Sequence, residues 1–221
     1  MTRVRLVILD YDLTLVNNVI DFYLAFTESL KKHFQREMSF SEFYDLLVSD
    51  KIVEEVPTTG IGYKVWVDMR RLICKSRYIS SLAPGLKFFL EITSSTGVEH
   101  VIVSGKECHS EYIWRELRRA GIDNFINGVY TFFDLAVLGG YEEELFDKSW
   151  LIKYAVKKHG KRVEEAVYIG DYKTDYYSSV KAGVRFIGLA FIERRAELLR
   201  DIGVGCIARD FYEALICLSE P

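Results

Sequence analysis

Residues 4–14 read VRLVILDYDLT, and within them an apolar run changes abruptly into a pair of acids. The aliphatic and β-branched residues at positions 4–9 predict a short strand that is buried on both faces. Asp10 and Asp12 then stand at the carboxyl end of that strand. Two unpaired carboxylates so close together repel each other, so this position predicts either a nearby counter-charge or a chemical task.

Four later apolar stretches have the same character, and segments with helical periodicity separate them. Strands are predicted at residues 100–103, 166–169, 185–189 and 203–207, and helices at residues 106–120, 149–159, 175–182 and 194–202. This alternation is typical of an α/β, Rossmann-like core, an open parallel sheet with helices on both faces. Ligands bind such sheets beyond the carboxyl ends of the strands. Residues 129–146 follow no clear pattern.

Residues 17–82 interrupt the alternation with helical patterns only. Helices are predicted at residues 17–34, 41–55 and 63–77. We therefore predict a small all-helical cap domain at residues 17–82, inserted after the first strand, and a core formed by residues 1–16 and 83–221.

Composition narrows the range of partners. The 221 residues carry a net charge of −3 with both signs interspersed, which favours no nucleic-acid partner. No signal peptide or membrane-length apolar run is apparent, so we expect a cytoplasmic protein without a membrane partner; its oligomeric state stays open. The four cysteines form no C-x-x-C pair and are expected to be reduced. The single Gln among many Glu, Lys and Arg is weakly typical of heat-adapted proteins, which makes Cys206 with Cys217 a disulfide pair to test.

Polar residues also follow the later strands. Asp171 directly follows one strand, and Asp175 stands four residues on, so both could join Asp10 around a hard cation such as Mg²⁺. Ser104 and Gly105 could offer a hydroxyl and an N–H to a phosphate. Lys148 could supply positive charge, with Lys106 and Lys153 as alternatives. The plainer interpretations are a helix-capping Asp12 or Thr14, an Asp175 that only favours a helix dipole, and ordinary loop residues elsewhere.

The order of these residues resembles the four motifs of the haloacid dehalogenase superfamily, in particular its phosphoglycolate phosphatase-like branch with a helical cap. Asp10, Asp12 and Thr14 match D-x-D-x-T, VIVSG at Ser104 matches the second motif, Lys148 matches the third, and GDYKTDYYSSVKAG matches the fourth. Two departures stand out: Leu13 occupies a position where many members have Gly, and no Pro follows Lys148.

The resemblance implies a Mg²⁺-dependent phosphatase that hydrolyses a small phosphorylated metabolite. Asp10 would be the nucleophile and form an aspartyl-phosphate, with Asp12 as general acid and base. Asp10, the backbone carbonyl of Asp12, Asp171 and Asp175 would hold the metal, and Ser104, Gly105 and Lys148 would bind the phosphoryl oxygens. A second acid such as Asp12 is implied for phosphatases and phosphomutases rather than dehalogenases.

Several alternatives are weighed against this prediction. A sugar-phosphate mutase of the same superfamily and a non-catalytic binding protein that keeps the fold stay open. A dinucleotide-binding domain and a Walker P-loop are disfavoured because their glycine patterns are missing at the first and second strands. In the cap, Tyr63, Lys64, Trp66, Arg70 and Arg71 are the first candidates to touch substrate. The plainer interpretation makes Trp66 and Met69 cap core, and Arg70 and Arg71 a solvated face.

Overall fold

The computed structural model describes residues 3–75 and 81–219. The strands are β1 (Leu6–Leu9), β2 (Val16–Asn17), β3 (Ser81–Leu82), β4 (Glu99–Ser104), β5 (Gly128–Thr131), β6 (Ala166–Gly170), β7 (Arg185–Leu189) and β8 (Ile207–Ala208). The helices are α1 (Val19–Phe34), α2 (Phe40–Val48), α3 (Ile52–Glu55), α4 (Gly60–Leu72), α5 (Leu86–Ser95), α6 (Glu111–Ala120), α7 (Phe132–Val137), α8 (Ser149–Lys158), α9 (Lys173–Ala182), α10 (Glu193–Asp201) and α11 (Phe211–Ser219).

Six strands form one parallel sheet in the order β5-β4-β1-β6-β7-β8. β1 lies in the middle, and its last residue, Leu9, pairs with Ile102 of β4 and Ile169 of β6. The loops after these three strands therefore start at the same edge of the sheet. The predicted α/β, Rossmann-like fold class is confirmed.

Side chains of β1 alternate between the two faces of the sheet, as the two-residue period of a strand requires. Val7 and Leu9 pack into a core with residues of α5, α6 and α11, whereas Leu6 and Ile8 pack into a second core with residues of α8, α9 and α10. Both faces are covered by helices, which is why the strand sequence is apolar throughout rather than alternating.

Helices α1 to α4 surround a third core, in which Phe26, Phe43 and Trp66 are fully buried. The chain enters and leaves this group of helices at neighbouring positions, because β2 and β3 pair antiparallel through Val16 and Leu82. This arrangement is consistent with a helical cap. The domain limits at residues 16–17 and 82–83 stay a prediction.

Several predicted boundaries shift. The helix expected at residues 41–55 is divided into α2 and α3, because Asp50 takes a positive φ of 61° that an α-helix cannot contain. The helix expected at residues 106–120 begins only at Glu111. The unassigned stretch 129–146 contains most of β5 and all of α7. Within the helix expected at residues 63–77, α4 ends at Leu72, and positions 76 and 77 lie outside the described residues.

The cysteines differ from the expectation of reduced thiols. Cys74 is bonded to Cys108, and Cys206 to Cys217, with Cα–Cα separations of 6.0 and 5.9 Å. The second pair is the one that the sequence suggested for testing; the first was not foreseen, because its two residues lie 34 positions apart and meet only through the tertiary fold. Among the described residues, no helix is both long enough and apolar enough to cross a membrane.

Candidate functional site

Strand ends place the predicted acids together. The backbone N–H of Asp10 donates to the carbonyl of Ile169 at 2.9 Å, which ties the end of β1 to the end of β6. Asp171 follows β6 directly, and Asp175 lies in the first turn of α9. One carboxylate oxygen from each of Asp10, Asp171 and Asp175 lies within 4.8 Å of the other two. We call these three residues the acid cluster.

Lys148 lies against the acid cluster, just before α8. Its ammonium donates to Oδ1 of Asp10 and, at 2.7 Å, to Oδ1 of Asp175. The side chain is 8 % exposed, so this ion pair is shielded from water. The other two lysines considered from the sequence lie elsewhere: Lys106 pairs with Asp12, and Lys153 is exposed on α8. Ser149 is the first residue of α8, and its N–H donates to Asp147 at 2.8 Å.

Asp12 is separate from the acid cluster. Its carboxylate accepts a hydrogen bond from Asn18 and lies 3.1 Å from the ammonium of Lys106. Lys106 is itself buried and stands 4.8 Å from the ring centroid of Tyr11. The two acids of residues 10–14 therefore have different surroundings: Asp10 lies among carboxylates beside Lys148, and Asp12 lies beside Lys106 and Asn18.

A tight turn directly follows these two acids. Leu13 takes a positive φ of 61°, a conformation that glycine adopts easily and that costs a leucine about 1–2 kcal/mol. Its N–H donates to Oδ1 of Asn18 at 3.1 Å, and the hydroxyl of Thr14 contacts Asp10 at 3.2 Å and Asp171 at 3.0 Å. The left-handed turn is thus kept although leucine stands in place of glycine. Thr14 links the carboxylates of Asp10 and Asp171.

Ser104 and Gly105 lie where the sequence placed them, at the carboxyl end of β4. Ser104 is buried, and its hydroxyl accepts a hydrogen bond from the N–H of Lys106 at 3.3 Å. A side chain at Gly105 would stand 3.6 Å from Cε of Lys148, so this loop adjoins the lysine of the acid cluster. Gly105 lines the same cavity as Asp10, whereas Ser104 does not line it.

Three further side chains complete the site and were missed from the sequence. Tyr168 donates its hydroxyl to Asp175 at 3.0 Å, Asn18 holds Asp12, and Arg195 donates to the backbone carbonyl of Asp171 at 2.6 Å. A tyrosine in an otherwise aliphatic buried strand was the one available signal for Tyr168. Arg195 comes from α10, and nothing in its local pattern distinguishes it from a surface arginine.

Burial dominates the electrostatics of the site. It raises the pKa of Asp10 well above the ordinary value; Lys148 opposes this shift, and the carboxylates of Asp175 and Asp171 add to it. Burial also raises the pKa of Asp171 to about 6, against the opposing effect of Arg195. For Lys148, burial alone lowers the pKa, but the carboxylates of Asp10 and Asp175 outweigh it and the pKa is raised.

The acid cluster suits a divalent cation. Carboxylate oxygens are the ligands that Mg²⁺ prefers, and three of them converge here from two strand ends and one helix. Asp175 packs closely against Gly170. A Cβ atom at position 170 would lie 2.7 Å from Oδ2 of Asp175, so only glycine fits before Asp171. Asp10, Asp171 and Asp175 are therefore the residues that could hold the ion.

A cavity of about 110 Å³ lies between the acid cluster and the helices α1 to α4. Its polar side, the floor, is formed by core residues: Asp10, Asp12, Gly105, Lys106, Lys148, Asp171, Tyr172, Thr174 and Asp175. Its other side, the roof, is formed by Phe22, Leu47, Ile52, Val53, Trp66, Met69, Arg70 and Ile73, joined by Leu13 and Phe146 from the core.

The suspected cap residues divide into different roles. Trp66 is buried in the cap core, as the plainer interpretation held, and also lines the cavity, whereas Tyr63 and Lys64 are exposed outside it. Arg70 was expected on a solvated face, and that expectation is wrong, because its side chain is only 3 % exposed. Arg71 is 61 % exposed and pairs with Glu107 at 2.7 Å.

Arg70 connects the roof to the core. Its guanidinium donates to Glu142 at 2.8 Å and pairs with Glu107 at 2.9 Å, and it lies over the rings of Phe132 and Phe146. The disulfide Cys74–Cys108 joins the same two regions of the chain. We call Arg70, Glu107, Glu142 and this disulfide the latch.

Comparison with known proteins gives a consistent picture. A profile of the haloacid dehalogenase-like hydrolase family matches residues 7–189, most of the chain. No curated protein gives a significant match.

Solved structures share the fold at low identity. A hydrolase of the haloacid dehalogenase-like family from Streptococcus pneumoniae superposes with a TM-score of 0.72 at 21% identity, over 99% of this chain and 100% of the other. A predicted phosphoglycolate phosphatase from Haemophilus somnus gives 0.65 at 20% identity over 98% and 99%, and a predicted phosphatase from Clostridium acetobutylicum gives 0.73 at 17% over 98% and 99%. These similarities concern the fold. Together with the profile match over residues 7–189, they show that the chain belongs to the haloacid dehalogenase-like hydrolase family.

Proposed function

We propose that the chain is a Mg²⁺-dependent phosphatase that hydrolyses a small phosphomonoester through an aspartyl-phosphate on Asp10. The observation that carries this proposal is the floor of the cavity: a buried carboxylate, Asp10, faces a buried lysine, Lys148, among two further acids. The names of two fold neighbours, a predicted phosphoglycolate phosphatase and a predicted phosphatase, agree with it.

In the first step, a carboxylate oxygen of Asp10 forms a bond to phosphorus while the bond from phosphorus to the ester oxygen breaks. Asp12 supplies the proton that the departing alkoxide needs to leave as an alcohol. The separate surroundings of the two acids support this division, since Asp12 lies beside Lys106 and Asn18 and outside the acid cluster.

In the second step, water attacks the phosphorus of the aspartyl-phosphate and the bond to Asp10 breaks. Asp12, now ionised, accepts the proton of that water, so inorganic phosphate leaves and both acids return to their starting states. Lys148, the hydroxyl of Ser104 and the loop at Gly105 stabilise the phosphoryl oxygens, on which the transition state concentrates its charge. Asp10, Asp171, Asp175 and the backbone carbonyl of Asp12 would hold a Mg²⁺ ion, which would supply further positive charge near the phosphoryl group.

The proposal is tested by measuring phosphate release from a set of small phosphomonoesters, with Mg²⁺ and with a chelator. The wild type should release phosphate only with the metal, and Asp10→Asn should lower kcat on the order of 10⁴-fold or more, the scale seen when a covalent nucleophile is removed. Asp201→Asn, which changes an exposed aspartate of α10, is the matched control and should leave kcat unchanged.

Two outcomes would count against the proposal. An Asp10→Asn variant with near-normal rates would exclude Asp10 as nucleophile. Activity that appears only after a sugar bisphosphate is added, with isomerisation of a sugar phosphate rather than phosphate release, would identify a mutase instead.

A further inference from the structure

We propose that the preferred substrate is the phosphate ester of a small apolar alcohol, and that the roof of the cavity selects against leaving groups that carry a carboxylate or several hydroxyls. This inference rests on the proposed phosphatase activity and adds the substrate class. It follows from the chemistry of the roof, from the engagement of every cation that lines the cavity, and from the cavity's size.

The roof offers a leaving group almost no polar contact. Seven of its eight cap residues, all but Arg70, have apolar or aromatic side chains. Trp66 is the one among the seven with a polar hydrogen, and its indole N–H donates to the carbonyl of Val56 at 3.0 Å. A hydroxyl-rich leaving group would lose its hydration against this surface without gaining hydrogen bonds, which is unfavourable.

The cations that line the cavity are already paired. Among the described residues these are Arg70, Lys106 and Lys148. Lys106 faces Asp12 at 3.1 Å, and Lys148 faces Asp10 and Asp175. Both belong to the floor, where the phosphoryl group is expected, so Arg70 is the one cation contributed by the roof.

Arg70 is held away from a substrate by the latch. Its two terminal nitrogens are directed to Glu142 at 2.8 Å and Glu107 at 2.9 Å, and two ring faces cover the guanidinium. Its Nε has no partner among the described residues and is closed to solvent. The two carboxylates balance the charge of Arg70, so a carboxylate on the leaving group would meet no free positive charge here.

The size of the cavity limits the alcohol. A water molecule needs about 10–15 Å³ on this measure, so 110 Å³ corresponds to roughly seven to eleven waters. A phosphoryl group occupies about half of that space. Roughly four to six carbon atoms then remain for the leaving group, such as a short branched alkyl chain or a small ring.

Isobutyl phosphate and phosphoglycolate form a matched pair for the test, because their leaving groups have the same number of non-hydrogen atoms and nearly the same shape. We expect kcat/KM for isobutyl phosphate to exceed that for phosphoglycolate by about 100-fold or more, since an unpaired buried carboxylate is strongly disfavoured. Calorimetry on the Asp10→Asn protein measures binding without turnover. Isobutyl phosphate should again be preferred and bind more tightly than phosphoglycolate.

Val53→Arg sharpens the test because it adds a cation to the roof at a half-buried position. The ratio of kcat/KM for phosphoglycolate to that for isobutyl phosphate should rise about tenfold or more. Ile61→Arg is the matched control: Ile61 is 51% exposed on the neighbouring helix and does not line the cavity, so the ratio should stay unchanged. Should Val53→Arg fail to fold, the wild-type ratio and the calorimetry still decide.

The outcomes separate the two proposals. Absence of phosphate release from every ester, including an activated aryl phosphate, would overturn the proposed function and this inference with it. Hydrolysis of phosphoglycolate or of a sugar phosphate at least as fast as isobutyl phosphate would leave the phosphatase intact and overturn the inference alone.

Discussion

The floor and the roof of the cavity are built by different means. The floor consists of residues from the loops that begin at the ends of β1, β4 and β6, from the first turn of α9, and of Lys148 just before α8. Its strongest contacts join opposite charges in a buried setting. The roof consists of helix faces whose side chains also form the core of the helical insert. Substitutions in the floor should therefore change kcat, whereas substitutions in the roof should change selectivity and KM.

The largest contrast is expected at Asp12. Asp12→Asn removes the proton donor but keeps the size of the side chain, so kcat for an alkyl phosphate should fall on the order of 10²–10⁴-fold. The p-nitrophenolate released from p-nitrophenyl phosphate leaves without protonation, so kcat for this ester should fall much less. Steady-state kinetics on both esters measure the difference; equal losses would show that Asp12 acts in some other way than as a general acid.

Lys148→Met tests whether the floor depends on its buried cation. We expect kcat to fall on the order of 10²–10³-fold, because a fixed positive charge at the phosphoryl oxygens is lost. The free energy of unfolding without metal should drop by about 3–5 kcal/mol, since Asp10 and Asp175 then lack their partner.

Mg²⁺ should raise the Tm of Lys148→Met more than that of the wild type, because the ion can replace part of the missing charge. Lys153→Met is the control, because Lys153 lies exposed on α8. This substitution should leave both kcat and Tm unchanged. A metal-free Lys148→Met protein as stable as the wild type would contradict this account of the acid cluster.

The same contrast explains what the sequence could and could not reveal. Asp10, Asp171 and Asp175 were predicted to meet because polar residues directly after buried parallel strands share one edge of the sheet. Tyr168 and Asn18 were missed because their partners are set by side-chain packing rather than by chain spacing. Local pattern alone assigns such residues to a strand or to a helix start, and no more.

Arg70 shows where pattern gives the wrong result. The charge of its side chain favoured a solvated face, but Glu142 approaches it from a loop 72 residues away and buries it. That loop lies in the stretch 129–146, which follows no clear period because it contains a short strand, a short helix and an irregular segment. The roof was therefore less predictable than the floor: its contacts are long-range and non-directional, and any apolar helix face would have looked the same.

The latch can be tested by removing its disulfide. Cys74→Ser with Cys108→Ser opens a crosslink across 34 positions, and loop-closure entropy puts the loss of stability at about 4 kcal/mol. Because this bond joins the helical insert to the loop after β4, KM should also change several-fold. Urea denaturation and steady-state kinetics measure the two effects.

The second disulfide is a matched control for the first. Cys206→Ser with Cys217→Ser opens a crosslink across 11 positions that lies entirely within the part of the chain following β7, at a loss of about 3 kcal/mol. KM should not change, because this bond does not join the helical insert to the core. If both double variants altered KM equally, the effect would come from general loss of stability and not from the latch.

The smallest effect is expected at His100, in the same strand, β4, that ends at Ser104. Unlike the acids of the floor, His100 is buried without a counter-charge: its ring contacts Thr93 at 2.7 Å, the carbonyl of Phe125 at 3.1 Å and the ring of Phe89. Burial lowers its pKa to about 4, against the opposing effect of the Phe125 carbonyl. The folded protein thus holds the imidazole neutral, as burial without a partner requires.

The sign of the pH dependence follows from that shift. The folded pKa lies below the unfolded value of 6.5, so the unfolded chain binds the proton first. The contribution of His100 to stability is complete above pH 6.5 and is lost as the pH falls towards 4, a loss of about 3 kcal/mol at most. Asp171, with its pKa raised to about 6, titrates in the same range with the opposite sign, and other carboxylates also have shifted pKa values, so the wild-type curve alone shows only their sum.

A difference measurement isolates His100. The free energy of unfolding of His100→Gln, measured in chelator between pH 7 and pH 4, should fall less steeply than that of the wild type, while the exposed His109→Gln should keep the wild-type slope. Parallel curves for wild type and His100→Gln would mean that the imidazole becomes charged in the folded state, through water or a carboxylate reaching β4. In that case burial alone would not hold a group neutral in this core, and the floor would not need Lys148 to compensate for the burial of Asp10.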